Sequence, residues 1–178
     1  MNTRILTKIA ICVALLSVSA YISIPLPFTA AMLTALTVVV NLVAFILTPK
    51  QAFLTLAVYI LLGAAGMPVF VGGTAGFGKL IGPTGGFILG FLLSAPLISL
   101  LKGKVPDFKR YMFIAVFVGM PVIYLCGSIS MCLVQNLDIF STLVVAVFPF
   151  ILGDIVKAGI AAYLGVKLNK VFASQEDN

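Results

Sequence analysis

The chain has 178 residues, of which 62% are hydrophobic and only 9% are charged, and its mean hydropathy is +1.24. This composition is too apolar for a soluble domain of this size, so it predicts an integral membrane protein. The net charge of +6 is explained by membrane orientation and anionic lipid headgroups, and no nucleic-acid partner is needed.

Apolar runs of helical length recur along the chain, whereas no strand-like alternation of apolar and polar residues is visible. The pattern predicts an all-α integral membrane protein with six transmembrane helices in a single domain, residues 1–178. The predicted spans are residues 5–22, 29–47, 52–65, 85–101, 111–134 and 140–168. The third span is short and can borrow length from the segment that follows it.

Basic residues indicate the orientation of these spans. If the N-terminus is cytoplasmic, nine of the eleven basic residues fall on the cytoplasmic side, while Lys79 lies in an outer loop and Lys157 within a span. Both termini are therefore expected in the cytoplasm. The first span also resembles a signal peptide with a cleavage site at residues 18–20, but the charge pattern favours an uncleaved helix.

Residue types used in catalysis and metal binding are scarce. Histidine is absent, the three cysteines have no metal-ligand spacing, and there are only five acidic residues. The sequence therefore predicts a binding protein or conduit rather than an enzyme, with no catalytic residues, no metal and no cofactor.

Residues 66–90 contain nine of the sixteen glycines and lie between the third and fourth predicted spans. Glycine tolerates positive φ and lets a backbone approach a ligand closely, so this segment predicts an irregular outer loop that faces a ligand. Residues 73–79 match the start of a phosphate-binding loop, but Leu80 follows and has no hydroxyl for magnesium. Taken alone, the segment is also compatible with a tight turn and close helix packing.

An acid and a base lie three residues apart within the last predicted span. Asp154 and Lys157 therefore share one face of a helix, about midway along it. Inserting either charge at a helix centre costs about 2.5–3.5 kcal/mol, so both should face the bundle interior and either pair or meet a ligand. Pro149 predicts a kink just outside this pair.

Small residues repeat on the first span, where Ala10 and Ala14 form an A-x-x-x-A step. Such a face lets another helix approach closely, either within the bundle or from a partner protein. On the motif alone, packing within the bundle is the better interpretation.

Three segments together carry a resemblance to a known family: residues 66–73 (GMPVFVGG), 82–87 (GPTGGF) and 153–157 (GDIVK). With them, nearly the whole chain resembles the BioY family, the biotin-binding S components of energy-coupling factor (ECF) transporters. The resemblance implies a multi-pass protein of a prokaryotic cell membrane that captures biotin from outside. It further implies docking, through Ala10 and Ala14, on a transmembrane T component driven by two cytoplasmic ATPase subunits that use ATP.

Biotin has two ureido N–H donors, an apolar thioether ring and a carboxylate. For this ligand we expect Asp154 to accept the ureido N–H groups and Lys157 to neutralise the carboxylate, although the assignment of ends is a hypothesis. Thr74 and nearby backbone amides, including that of Gly73, are expected to complete the polar contacts. The candidate apolar walls are Phe70, Phe87 and Tyr59.

Some positions depart from the usual family pattern. Where the family often has further prolines and a Thr-Leu-Gln run, residues 30–36 of this chain read AAMLTAL. Phe87 replaces a common tyrosine, and Leu152 replaces a common proline. Two alternatives therefore stay open: an S component for another vitamin or for a precursor such as dethiobiotin, and a stand-alone secondary transporter that uses Asp154 as a proton site. A purely structural membrane protein is a third.

Overall fold

The structure is a computed structural model that describes residues 3–176. This part of the chain forms nine α-helices and one two-stranded sheet. The helices are α1 (Thr3–Ser19), α2 (Leu36–Ile46), α3 (Pro49–Ala64), α4 (Phe77–Leu80), α5 (Gly85–Leu101), α6 (Phe108–Ile114), α7 (Met120–Gln135), α8 (Ile139–Ala146) and α9 (Phe148–Glu176). The protein is thus mostly helical, as its sequence predicts.

Two helical segments are long and apolar enough to cross a membrane. The first, Phe108–Gln135, consists of α6, a π-helical turn over Ala115–Gly119 and α7. The second, Phe148–Ser174, lies within α9. The apolar helices α2, α3 and α5 are shorter, with 10–17 residues each.

A two-stranded hairpin lies where the second span was predicted to begin. Strand β1 (Ser23–Pro25) pairs antiparallel with β2 (Met32–Thr34), and α2 begins only at Leu36. The prediction of a helix from residue 29 was therefore wrong, and the short hairpin is an addition to the predicted helical fold. The residue before a proline avoids the helical backbone, so Pro25 and Pro27 favour the extended conformation that the hairpin needs.

The last predicted span, residues 140–168, is divided into α8 and α9. Val147 separates them with φ −125° and ψ −62°. Pro149 explains the division, because its ring clashes with the preceding helical turn, whereas its missing N–H costs nothing in the first turn of a new helix. The interruption predicted at Pro149 is thus present, but as a break between two helices at Val147, with this proline in the first turn of the second helix.

Two of the three aspartates in the described part of the chain cap helices. Asp107 accepts a hydrogen bond from the backbone N–H of Arg110 (2.7 Å) and caps α6. Asp138 accepts one from the backbone N–H of Ser141 (3.1 Å) and caps α8, and hydrogen bonds from Ser141 lower the pKa of Asp138. These two carboxylates therefore stabilise helix starts rather than a ligand site.

The two ends of the bundle are held by different contacts. At one end, the ammonium of Lys102 donates to the carbonyl oxygen of Phe45 (2.8 Å), near the end of α2. At the other end, the backbone N–H of Gly72 donates to the carbonyl oxygen of Ala20 (3.0 Å), which joins the glycine-rich loop to the end of α1. This loop and the hairpin together cover the end of the bundle where α2 and α5 begin.

Two glycines at the start of α5 allow neighbouring backbone to approach. A Cβ on Gly86 would lie 2.0 Å from the carbonyl oxygen of Cys126 in α7. A Cβ on Gly85 would lie 1.8 Å from the carbonyl oxygen of Leu80 in α4. Because backbone cannot give way as a flexible side chain can, the positions of α4 and α7 against α5 depend on these glycines.

We expect Gly86→Ala to destabilise the protein by about 1–3 kcal/mol, the usual effect of overpacking a well-packed contact. Gly78→Ala is the matched control, since a Cβ at Gly78 would have no atom within 4 Å. Thermal unfolding of both purified variants in detergent, followed by circular dichroism, measures the difference. Unfolding of Gly86→Ala at the wild-type temperature would contradict the close contact between α5 and α7.

Candidate ligand-binding site

A cavity lies at the end of the bundle that is covered by the hairpin and the glycine-rich loop. The empty space at this site, counted together with adjoining open solvent, is about 680 Å³. Its lining is mostly apolar with a few polar and charged groups, which is typical of small-molecule sites. The lining residues are Ala30, Ala31, Met32, Thr34, Thr37, Val71, Lys79, Thr84, Phe87, Ile88, Phe91, Ile123, Tyr124, Phe150, Asp154 and Lys157.

The most polar part of this cavity is an ion pair on α9. The ammonium of Lys157 lies 2.8 Å from Oδ1 of Asp154, and the two side chains are only 14% and 10% exposed. The hydroxyl of Tyr124, on α7, donates to Oδ2 of Asp154 at 2.7 Å. Thr37 on α2 lies at the limit of hydrogen-bonding distance, with its Oγ1 3.5 Å from Oδ1. Both carboxylate oxygens therefore have a donor.

The local fold brings this pair to the covered end of the bundle. Because α9 begins at Phe148, Asp154 lies in the second turn of the helix rather than midway along a span. Gly153, next to it, leaves room for the hairpin: a Cβ there would lie 3.3 Å from a methyl group of Leu33. The hairpin can therefore pack directly against α9 beside the ion pair.

Three of the predicted ligand-binding residues line the cavity, namely Asp154, Lys157 and Phe87. The ring of Phe87 is held against α7, because Gly127 there has no side chain in its way. The structure thus brings together the charged pair from α9 and the aromatic residue from α5, which are far apart in the sequence.

The other four predicted residues, Gly73, Thr74, Phe70 and Tyr59, are not among those that line the cavity. Tyr59 and Phe70 are fully buried and pack edge to face, with ring centroids 5.8 Å apart. The Tyr59 hydroxyl donates to the carbonyl oxygen of Val69 (3.0 Å), and the Thr74 hydroxyl donates to that of Val71 (3.0 Å). These contacts hold the glycine-rich loop in shape.

Only three of the sixteen residues that line the cavity were predicted as site residues, and those that sequence reasoning missed include Tyr124 and Lys79. Tyr124 was not singled out, because a tyrosine in an apolar span gives no sign that its hydroxyl meets a carboxylate 30 residues later. Lys79 was predicted only to lie in an outer loop, yet it lines the cavity. Its signal was present in the charge pattern, since it is the basic residue that falls on the opposite side of the predicted membrane from the others.

Ala10 and Ala14 lie on the exposed face of α1, whereas Ile9, Val13 and Leu16 form the buried face. The motif alone favoured packing of these alanines within the bundle, and the structure shows that this interpretation was wrong. The small-residue face is therefore available for contacts outside this chain.

The fold is that of a helical S component. It matches a solved crystal structure of the S-component for biotin from an ECF-type ABC transporter with a TM-score of 0.89, at 22% identity. The match covers 94% of this chain and 92% of that chain. At this identity the likeness concerns the fold.

The sequence places the chain more specifically. The family model of the BioY family matches residues 1–174, so the chain belongs to the BioY family. Curated relatives named biotin transporter BioY include one from Thermotoga maritima, 38% identical over 94% of this chain and 97% of its own length. A probable biotin transporter BioY from Pyrococcus horikoshii is 36% identical over 94% of this chain and 98% of its own length.

We expect Tyr124→Phe to lower the free energy of unfolding by about 1.5–3 kcal/mol, the usual contribution of a hydrogen bond to a charged group. The variant leaves Oδ2 of Asp154 without its donor at 2.7 Å. Tyr163→Phe is the matched control, because Tyr163 is 61% exposed. Thermal unfolding in detergent measures both variants, and equal stability of the two would contradict the bond to Asp154.

Proposed function

We propose that the protein is the substrate-binding subunit of an ATP-driven ECF transporter, where it captures biotin from outside for transport into the cell. One observation carries this proposal: a buried Asp154–Lys157 pair lines a largely apolar cavity in a member of the BioY family. Relatives over nearly the whole chain are named as transporters, which agrees with the prediction of a binding protein rather than an enzyme.

The cavity suits the chemistry of biotin. The carboxylate of Asp154 can accept ureido N–H donors, and the apolar rings of Phe87 and Phe91 can pack against the thioether ring. The ammonium of Lys157, 2.8 Å from Oδ1 of Asp154, orients this carboxylate. In this proposal Gly73, Thr74, Phe70 and Tyr59 shape the loop that covers the bound ligand.

We further propose six membrane spans in one domain, residues 1–178, with both termini in the cytoplasm and the glycine-rich loop outside a prokaryotic cell. Two segments long enough to cross a membrane support this arrangement, as do the three shorter apolar helices. Lys102 and Gly72 make their contacts at opposite ends of the bundle. This also supports the arrangement, because the predicted topology places these two residues on opposite sides of the membrane.

The proposed partners are a transmembrane T component and two cytoplasmic ATPase subunits, which use the ATP. The exposure of Ala10 and Ala14 supports α1 as the helix that docks on the T component. The chain itself needs no cofactor or metal for this role. A stand-alone proton-coupled transporter instead predicts uptake without these partners, and that uptake would be abolished by a protonophore in ATP-replete vesicles.

Calorimetric titration of the detergent-purified protein with biotin tests the proposal, and it suits a chain without tryptophan. We expect saturable binding of biotin that is at least tenfold tighter than that of thiamin, an advantage of about 1.4 kcal/mol or more. Dethiobiotin is titrated in parallel, because tighter binding of dethiobiotin would identify the precursor as the ligand. Absence of biotin binding by folded protein would contradict the proposed function.

A further inference from the structure

The cavity contains a second lysine whose charge has no partner among the side chains that the structure describes. Lys79 lies on α4 and lines the cavity, together with Asp154 and Lys157 from α9. The two lysines therefore line the same cavity from different helices, and only Lys157 is paired with Asp154.

Lys157 already has a partner of opposite charge. Its ammonium lies 2.8 Å from Oδ1 of Asp154, and the pair is mostly buried. A ligand carboxylate that recruited Lys157 would compete with this contact and leave Asp154 close to a second negative charge. Like charges at such short distance in a low-dielectric site strongly disfavour each other.

Lys79 has no such partner. Among the side chains that the structure describes, residues 3–174, no hydrogen bond or ion pair involves its ammonium. The described carboxylates outside the cavity, Asp107 and Asp138, are engaged at the starts of α6 and α8. The half-buried charge of Lys79 therefore has no counter-charge in this part of the protein.

The charges that line the cavity sum to one positive charge, from Lys79, Lys157 and Asp154. A ligand with one negative charge would make this sum zero, whereas a neutral ligand would leave a partly buried ammonium unmatched. Thr84, the residue before the first turn of α5, also lines the cavity, so the positive end of that helix dipole acts in the same direction as Lys79.

The segment that carries Lys79 also has room to adjust. α4 has four residues and follows Gly76, whose φ is +94°, and a Cβ on Gly76 or Gly78 would meet no atom within 4 Å. The packing of Leu80 against Gly85 fixes the other end of α4. Lys79 thus lies on a short helix that packs against α5 at its C-terminal end and has free space around its N-terminal end.

We infer that Lys79 binds the carboxylate of the ligand, while the Asp154–Lys157 pair holds its uncharged polar end. The inference rests on the proposed function, since it assigns one end of biotin to each group. It makes Lys79 a specificity-determining residue that favours the free acid over esters and amides. It also revises the expectation that Lys157 neutralises the ligand carboxylate.

The test compares biotin with biotin methyl ester, which lacks the negative charge, by calorimetric titration. The variants are Lys79→Met, Lys79→Arg and Lys157→Met, and Lys104→Met is the control because Lys104 is exposed in the loop between α5 and α6. We expect Lys79→Met to lower the affinity for biotin by about 10- to 100-fold, as for loss of a charge-assisted hydrogen bond. The affinity for the methyl ester should change by less than about threefold.

The other variants show whether a loss of affinity comes from the missing charge, from the changed side-chain shape or from misfolding. Lys79→Arg should retain most of the affinity for biotin, Lys104→Met should match the wild type, and Lys157→Met should weaken acid and ester alike. Equal losses for acid and ester in Lys79→Met, or no loss, would overturn the inference while leaving biotin binding by the wild type intact. The inference would also be overturned if Lys157→Met lowered the affinity for biotin but not that for the methyl ester. If the wild type binds neither ligand, the proposed function fails as well.

Discussion

The chemistry of the cavity at the covered end of this protein depends on one buried ion pair. Taking an ammonium and a carboxylate out of water costs several kcal/mol for each ion, and their mutual attraction offsets this cost only with good geometry and further hydrogen bonds. Asp154 has that support, from Lys157 at 2.8 Å and from Tyr124 at 2.7 Å. Such a pair is weak evidence for stability, and ionisable residues within membrane segments usually mark a substrate or ion path.

The neighbouring elements determine the position of this pair. The division of the last span at Val147 places Asp154 in the second turn of α9, close to the end of the bundle. Gly153 leaves space there for Leu33 of the hairpin. Because Gly85 and Gly86 have no Cβ, α4 and α7 can lie directly against α5. Lys79 and Tyr124 can therefore line the same cavity.

Features that depend on local composition could be predicted from the sequence. The helix at residues 85–101 was predicted with the bounds that the structure has, because a long apolar run begins at the Gly85–Gly86 pair. The cavity positions of Asp154 and Lys157 follow from the cost of exposing two charges to lipid, together with their i, i+3 spacing. The family could be identified because its motifs combine glycines, a proline and this charged pair.

Features that depend on distant contacts could not be predicted in this way. The hairpin is only three residues long in each strand, and short strands form where the rest of the fold supports them. Pro149 has the same local chemistry whether it kinks a helix or starts one, and the packing around Val147 decides between the two. Tyr59 and Phe70 are aromatic residues close to the glycine-rich loop, but their rings pack on each other instead of lining the cavity.

The double variant Asp154→Asn/Lys157→Met tests most directly whether the pair is present for the ligand and not for the fold. Removing both charges together leaves no unpaired buried ion, so we predict thermal stability equal to or above that of the wild type. We also predict that biotin binding, measured by calorimetry on the same preparation, falls by about 100-fold or more, since both charged groups at one end of the ligand are lost. A double variant that binds biotin with wild-type affinity but unfolds at a clearly lower temperature would contradict this account.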